Sequence, residues 1–220
     1  MRLHQVGVRV VSTLVGRRLL KAAWVGLAAV VIGATAWAAW LLIGTNQLAG
    51  NRAEDAMQTF QTACRTTSTE PSSPSEVLAE ISFPDSSPDA SWPVVVGIGD
   101  EQLSVGVGWY PQTASPGAIG NMVLAGYRIT NGAPFVGLLD LQIGDRVQLT
   151  TCQQVFTYVI DVAPADLTIQ AGDDWVLDAV PGRPGQVPTG RMITLITSQD
   201  LLPTADRSVG FGHLESTEQR

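Results

Sequence analysis

Asn121-Met122-Val123-Leu124-Ala125-Gly126-Tyr127-Arg128 and, further on, Thr194-Leu195-Ile196-Thr197-Ser198 decide how this chain is read. Each is a short apolar run rich in β-branched residues. Gly117 and Gly120 precede the first, and Pro188 and Gly190 precede the second. That punctuation is the signature of strands rather than helices. Comparable runs recur over 94–98, 146–150, 155–162, 175–177, 191–196 and 208–214, spaced by roughly a dozen residues. Seven or eight such runs predict an all-β fold, a barrel or a sandwich. Helical candidates in this region are short, such as 134–141, and no internal repeat is evident.

The order of the small motifs between these runs carries more information. Val105-Gly106-Val107-Gly108-Trp109-Tyr110-Pro111 and Thr113-Ala114-Ser115-Pro116-Gly117 lead into the first strand. Asn131-Gly132-Ala133-Pro134-Phe135, Gly144-Asp145-Arg146-Val147 and Phe156-Thr157-Tyr158-Val159 follow it. Trp175-Val176-Leu177, the second strand, Arg207 and Val209-Gly210-Phe211-Gly212 complete the series. From about Val94 to Leu214 this succession resembles a sortase, closest to class E sortases. The resemblance implies an all-β domain, an eight-stranded β-barrel carried on a single N-terminal transmembrane helix. It also implies a chemistry, the cutting of a sorting-signal peptide and transfer of the acyl group to an amine.

Three residues carry that chemistry in the family pattern. A histidine follows the Ala-Gly pair, a cysteine ends the Thr-Leu-x-Thr strand, and an arginine comes about nine residues later. The matching positions here hold Tyr127, Ser198 and Arg207. A serine hydroxyl is a far weaker nucleophile than a thiol near its pKa and needs an adjacent base. A phenol is protonated at neutral pH and cannot be that base. Trp109 stands where class E sequences usually have another histidine, and Gln199-Asp200 replaces the usual His-Pro. The expectation is a degenerate sortase with no catalytic residues, in which Trp109, Tyr127, Ser198 and Arg207 form a binding groove that Trp175 makes more aromatic. Its partner would be a peptide, or a protein of the membrane or cell envelope. The alternative is an active transpeptidase or serine hydrolase using Ser198 and Arg207 with an unrecognised base. The aromatic residues would equally fill the barrel mouth, and Arg207 would equally pair with Asp200 or Asp206.

Other candidates are weaker. Leu149-Thr150-Thr151-Cys152 looks like the family's cysteine motif, but Asp161 rather than an arginine lies nine residues on. Cys152 therefore reads as a small buried hydrophobe. His213 reads as a strand histidine away from Ser198. Asp173-Asp174 could meet a calcium ion but reads as a solvated turn. Two cysteines and two histidines are too few for a zinc cluster, so no metal and no cofactor is expected.

Charge divides the chain. Arg2, Arg9, Arg17, Arg18 and Lys21 precede the first acidic residue, Glu54, and beyond Lys21 the balance is −12. No phosphate-tracking basic stripe is present, so no nucleic-acid partner is expected. No charge occurs between Lys21 and Arg52, and 22–44 is long and apolar enough for a spanning helix. The positive-inside rule then predicts a single-pass type II protein of the plasma membrane. Residues 1–21 would be a cytoplasmic tail, 22–44 the transmembrane helix and 45–64 an extracytoplasmic helical stalk. Residues 65–93, rich in Ser, Thr and Pro, would be a linker, and 94–220 the barrel. A cleaved signal peptide is the alternative, with small-residue sites at Ala34-Thr35-Ala36 and Ala36-Trp37-Ala38. Outside the cell Cys64 and Cys152 are candidates for a disulfide, with two unrelated buried thiols as the other reading.

Overall fold

The computed structural model describes residues 6–40, 44–66, 77–200 and 204–220. The chain divides into two compact units, Met1–Gly44 and Thr45–Arg220. The first is one helix, α1 (Val6–Ala39). Among the described residues no helix is long and apolar enough to cross a membrane. Helix α1 includes Arg9, Arg17, Arg18 and Lys21 and stops at Ala39, before Leu41-Leu42-Ile43. Those three residues of the expected span, and residues 1–5 of the expected basic tail, lie outside the described residues.

The second unit opens with α2 (Thr45–Thr66). Nine strands follow among the described residues: β1 (Val77–Phe83), β2 (Ser87–Val96), β3 (Val107–Trp109), β4 (Gly120–Ala125), β5 (Arg146–Thr150), β6 (Gln154–Val162), β7 (Thr168–Gln170), β8 (Arg191–Ser198) and β9 (Asp206–Gln219). They form one sheet in the order β6-β5-β1-β2-β3-β4-β8-β9-β7, and β6 also pairs with β9. That last pairing closes eight strands into a ring, which removes the sheet edges. The three-residue β7 lies beside β9 outside the ring. Neighbours are antiparallel except β2 with β3 and β4 with β8.

Three expectations about elements are corrected here. Residues 65–93 are not wholly linker: 77–83 and 87–96 are β1 and β2 of the barrel, while 67–76 lie outside the described residues. The prolines misled because β2 pairs on both sides only from Val94 onward. Before that, only β1 lies beside it, so Pro88 can sit on an open strand side where no N–H is needed. Residues 175–177 are a 3-10 turn, Asp174–Leu177, not a strand. Helix α2 is not a free stalk, because its Ala49, Ala53 and Phe60 are buried. Phe60 packs with Val77 and Val95, so the helix lies against β1 and β2.

Period-2 alternation sorts the strands' side chains between two cores. Met122, Leu124, Ile193 and Leu195 point into the barrel with Tyr158, Phe135 and Leu149. Val123, Ile196, Val209 and Phe211 point outward and are covered by Ile169, Val176 and neighbours. Buried polar groups between the layers are paired, as burial demands. Asn121 donates from Nδ2 to the carbonyls of Val176 (2.9 Å) and Asp178 (3.1 Å) and accepts from Thr194 Oγ1 (2.7 Å). This fixes the 3-10 turn over the outer core.

Cys64 of α2 and Cys152 of the β5–β6 turn are joined by a disulfide, with Cα atoms 5.0 Å apart. Cys152 is thus neither a lone buried thiol nor an available nucleophile.

Candidate functional site

The outward face of β4, β8 and β9 leads to a half-open cavity of about 270 Å³. Ile196 faces the outer core, and Ser198, two residues on, shares its face. In the β8–β9 ladder Ser198 stands directly opposite Arg207. Strand β4 runs parallel to β8 with Ala125 opposite Ile196, so Gly126 and Tyr127 leave the sheet beside Thr197 and Ser198. Tyr127, Ser198 and Arg207 all line the cavity, with Ile98, Leu103, Tyr110, Ala125 and Ile196. Tyr127, Ser198 and Arg207, distant in sequence, therefore converge.

Gly126 is dictated by close approach. A Cβ there would stand 2.9 Å from the Phe135 ring, which lies across the exit from β4. The Thr197 hydroxyl donates to the Gly126 carbonyl at 2.8 Å and ties the two strand ends together. Arg128 completes the junction: its Nε donates to the Ser198 carbonyl at 2.9 Å and its Nη2 to that of Gln199. Its role lies in its reach across to β8, which no local motif signals.

Electrostatics set what these groups can do. Burial above all, and then the charge and hydrogen bond of Asp100, push the Tyr127 phenol above its usual pKa. Its hydroxyl donates to Asp100 Oδ1 over 3.5 Å. The phenol is held as a donor, not a base. Burial likewise raises Tyr110, with Arg207 acting against the shift and Asp174 with it. No hydrogen bond joins the Ser198 hydroxyl to Tyr127 or Arg207. Arg207 Nη1 donates to the carbonyls of Thr204 (2.8 Å) and Asp206 (2.9 Å). The expected pairing with an Asp200 or Asp206 carboxylate does not form. Asp200 accepts from Thr204 Oγ1, and Asp206 from Gln170 Nε2.

Trp109 and Trp175 are not part of this cavity. Trp109 stands opposite Leu124, packs against the barrel core and donates from Nε1 to the Ala114 carbonyl at 3.0 Å. Tyr110, one residue on, takes the outward face instead, as strand alternation requires. Trp175 stacks at a tilt on Phe211, ring centroids 5.9 Å apart. His213 pairs with Asp161 at 2.9 Å on the surface and stands opposite Met192, at the far end of the β8–β9 ladder from Ser198. No group of three or more His, Cys, Asp or Glu that could hold a metal occurs among the described residues.

Comparison with known proteins bears on the same region. Residues 84–215 match the sortase domain. The chain is 32% identical over 140 residues to sortase SrtE1 of Streptomyces coelicolor, a match covering 60% of this chain and 39% of that protein. It thus spans about two fifths of the length of that curated relative. Among solved structures, sortase E from Streptomyces avermitilis aligns with a TM-score of 0.58 and 36% identity, covering 65% of this chain and 90% of that one. Sortase E1 from Streptomyces coelicolor with a tripeptide in its active site aligns with a TM-score of 0.58 and 28% identity, covering 68% and 94%. With the domain match extending over more than half its length, the chain belongs to the sortase family.

Proposed function

We propose that this chain is a catalytically degenerate sortase-like protein that binds a peptide or an envelope protein partner rather than transferring acyl groups. The observation that carries this reading is the set Tyr127, Ser198 and Arg207 around one cavity. The family's cysteine position holds a hydroxyl, and the histidine position holds a phenol raised in pKa and turned toward Asp100. Without a base to take its proton, Ser198 has no route to the alkoxide that acyl transfer needs. Loss of a general base alone costs about 10²–10⁴ in rate. A peptide as the ligand class is supported by the tripeptide held in the active site of the Streptomyces coelicolor sortase E1.

Anchorage belongs to the same proposal. It rests on the charge-free run 22–51 and on the basic residues that precede it, which orient a type II protein in the plasma membrane. The partner would then be extracytoplasmic, and a neighbouring membrane protein complex is within its reach.

A second reading has one observation in its favour, the placing of Arg207 directly opposite Ser198. A guanidinium there would face a developing oxyanion on an acyl group attached to the serine. Fluorophosphonate labelling of the full-length protein in detergent separates the two. The binding reading expects no label on Ser198 while a serine hydrolase in the same tube is labelled. Label that vanishes in Ser198→Ala would establish the serine as a nucleophile and overturn the binding reading.

A further inference from the structure

We propose that the cavity takes the free C-terminal carboxylate of a peptide on Arg207, with the last apolar side chain against Ile98, Leu103 and Ile196. This deepens the peptide-binding reading and rests on it.

Charge is the first argument. Among the described residues Arg207 is the only cation lining the cavity, and no carboxylate lies within ion-pair distance of it. Nη1 is used by two backbone carbonyls, while Nε and Nη2 donate to none of the described residues. A half-buried guanidinium with spare donors against an apolar wall is a site for an anion that can accept two parallel hydrogen bonds. Two carboxylates close to the lining phenols disfavour an anion of more than one unit of charge. Asp100 acts on Tyr127 and Asp174 on Tyr110, both lining phenols. A phosphate dianion would meet these two carboxylates as well as the one arginine, whereas a carboxylate monoanion matches the arginine alone.

Size is the second argument. A cavity of about 270 Å³ falls just below the range of roughly 300–1,000 Å³ common for small-molecule pockets. It holds one or two residues, enough for the end of a chain. The apolar walls suit a terminal aliphatic side chain, and the hydroxyls of Ser198 and Tyr110 supply donors for the carboxylate's remaining lone pairs, that of Tyr127 being turned to Asp100.

The test uses the full-length protein in detergent micelles and two pools of fluorescein-labelled tetrapeptides, randomised at the last two positions. One pool ends in a free carboxylate and the other in a carboxamide. Fluorescence anisotropy should show the acid pool binding at least tenfold more tightly. That advantage should shrink as salt rises. It should disappear in Arg207→Gln and partly return in Arg207→Lys, with thermal melting of the variants checked for an intact fold. Equal binding of the two pools would overturn the carboxylate inference and leave the peptide-binding reading standing. Binding of neither pool would overturn both.

Discussion

On the proposed reading, Ser198 and Tyr127 belong to a set of groups that act as a unit, so single substitutions toward the family pattern should do little. Ser198→Cys supplies a thiol with no imidazole beside it. Tyr127→His supplies an imidazole with no thiol and removes the bond to Asp100. Cleavage of a Leu-Ala-x-Thr-Gly-like peptide, followed by mass spectrometry, should be undetectable in the wild type and in both single variants, and weak at best in the double. Cleavage by the wild type that Ser198→Ala abolishes would refute this. A second residue-scale prediction concerns Asp85, whose pKa the Arg146 side chain and N–H lower to about 2. A lowered folded pKa contributes stability above the unfolded value near 3.8, and that contribution fades as pH falls toward 2. The two side chains meet at 2.7 Å but remain largely exposed, so the effect is small. Asp85→Asn should lower the melting temperature slightly at pH 6, and the gap should narrow as pH falls from about 4 toward 2. A gap constant with pH would show that the ion pair is not its source. The positions of Tyr127, Ser198 and Arg207 were legible in sequence because motif order fixes them to strand ends. Trp109 was misassigned because a shift of one residue along a strand exchanges the two faces.

Helix α2 does more at the element scale than its thin apolar stripe suggests. Asn46 donates from Nδ2 to the Ile129 carbonyl (3.2 Å) and accepts from the Gly132 N–H (3.0 Å). It thereby holds the loop after Tyr127, in which Asn131, Gly132 and Ala133 all have positive φ. At Gly132 a Cβ would strike the Trp92 ring at 2.5 Å. Alanine in the left-handed region costs roughly 1–2 kcal/mol, and such strain persists only where the surroundings enforce it. Asn46→Ala should therefore destabilise the second unit by about 1–2 kcal/mol through two lost hydrogen bonds. It should also speed amide exchange across 129–135. Ala133→Gly should stabilise by about 0.5–1 kcal/mol, the relieved strain less the added chain entropy. Unfolding by urea reads both, and an unchanged Asn46→Ala would show that the loop holds its own shape. The sequence made α2 legible as a helix by the absence of proline. Its docking was hidden, since a stripe of alanines and one Phe60 shows its partner only when β1 and β2 are recognised. Those strands were hidden in turn by Pro84, Pro88 and Pro93.

For the molecule as a whole, closure is secured twice, by the β6–β9 ladder and by the bridge from Cys64 to Cys152. The bridge closes a loop of 88 residues that contains β1 to β5, and such a loop removes about 4.6 kcal/mol of freedom from the unfolded chain. Replacing both cysteines by serine should lower stability by about 2–4 kcal/mol in urea titrations of the full chain. A loss under 1 kcal/mol would show that α2 docks equally well without it. The bridge also decides how the protein carries load. Suppose tension is applied between Thr45 and Arg220. The force runs along α2, crosses the sulfurs to Cys152 and bypasses residues 65–151 entirely. Gln154 and Gln219 are paired at the same end of their ladder, so the pull peels β6 from β9 one bond after another rather than shearing them together. Single-molecule stretching should accordingly release only residues 152–220 beyond α2 in the oxidised protein. Residues 65–151 should add their length only after a reductant is supplied, making the bridge a mechanical shunt around the strands that precede it.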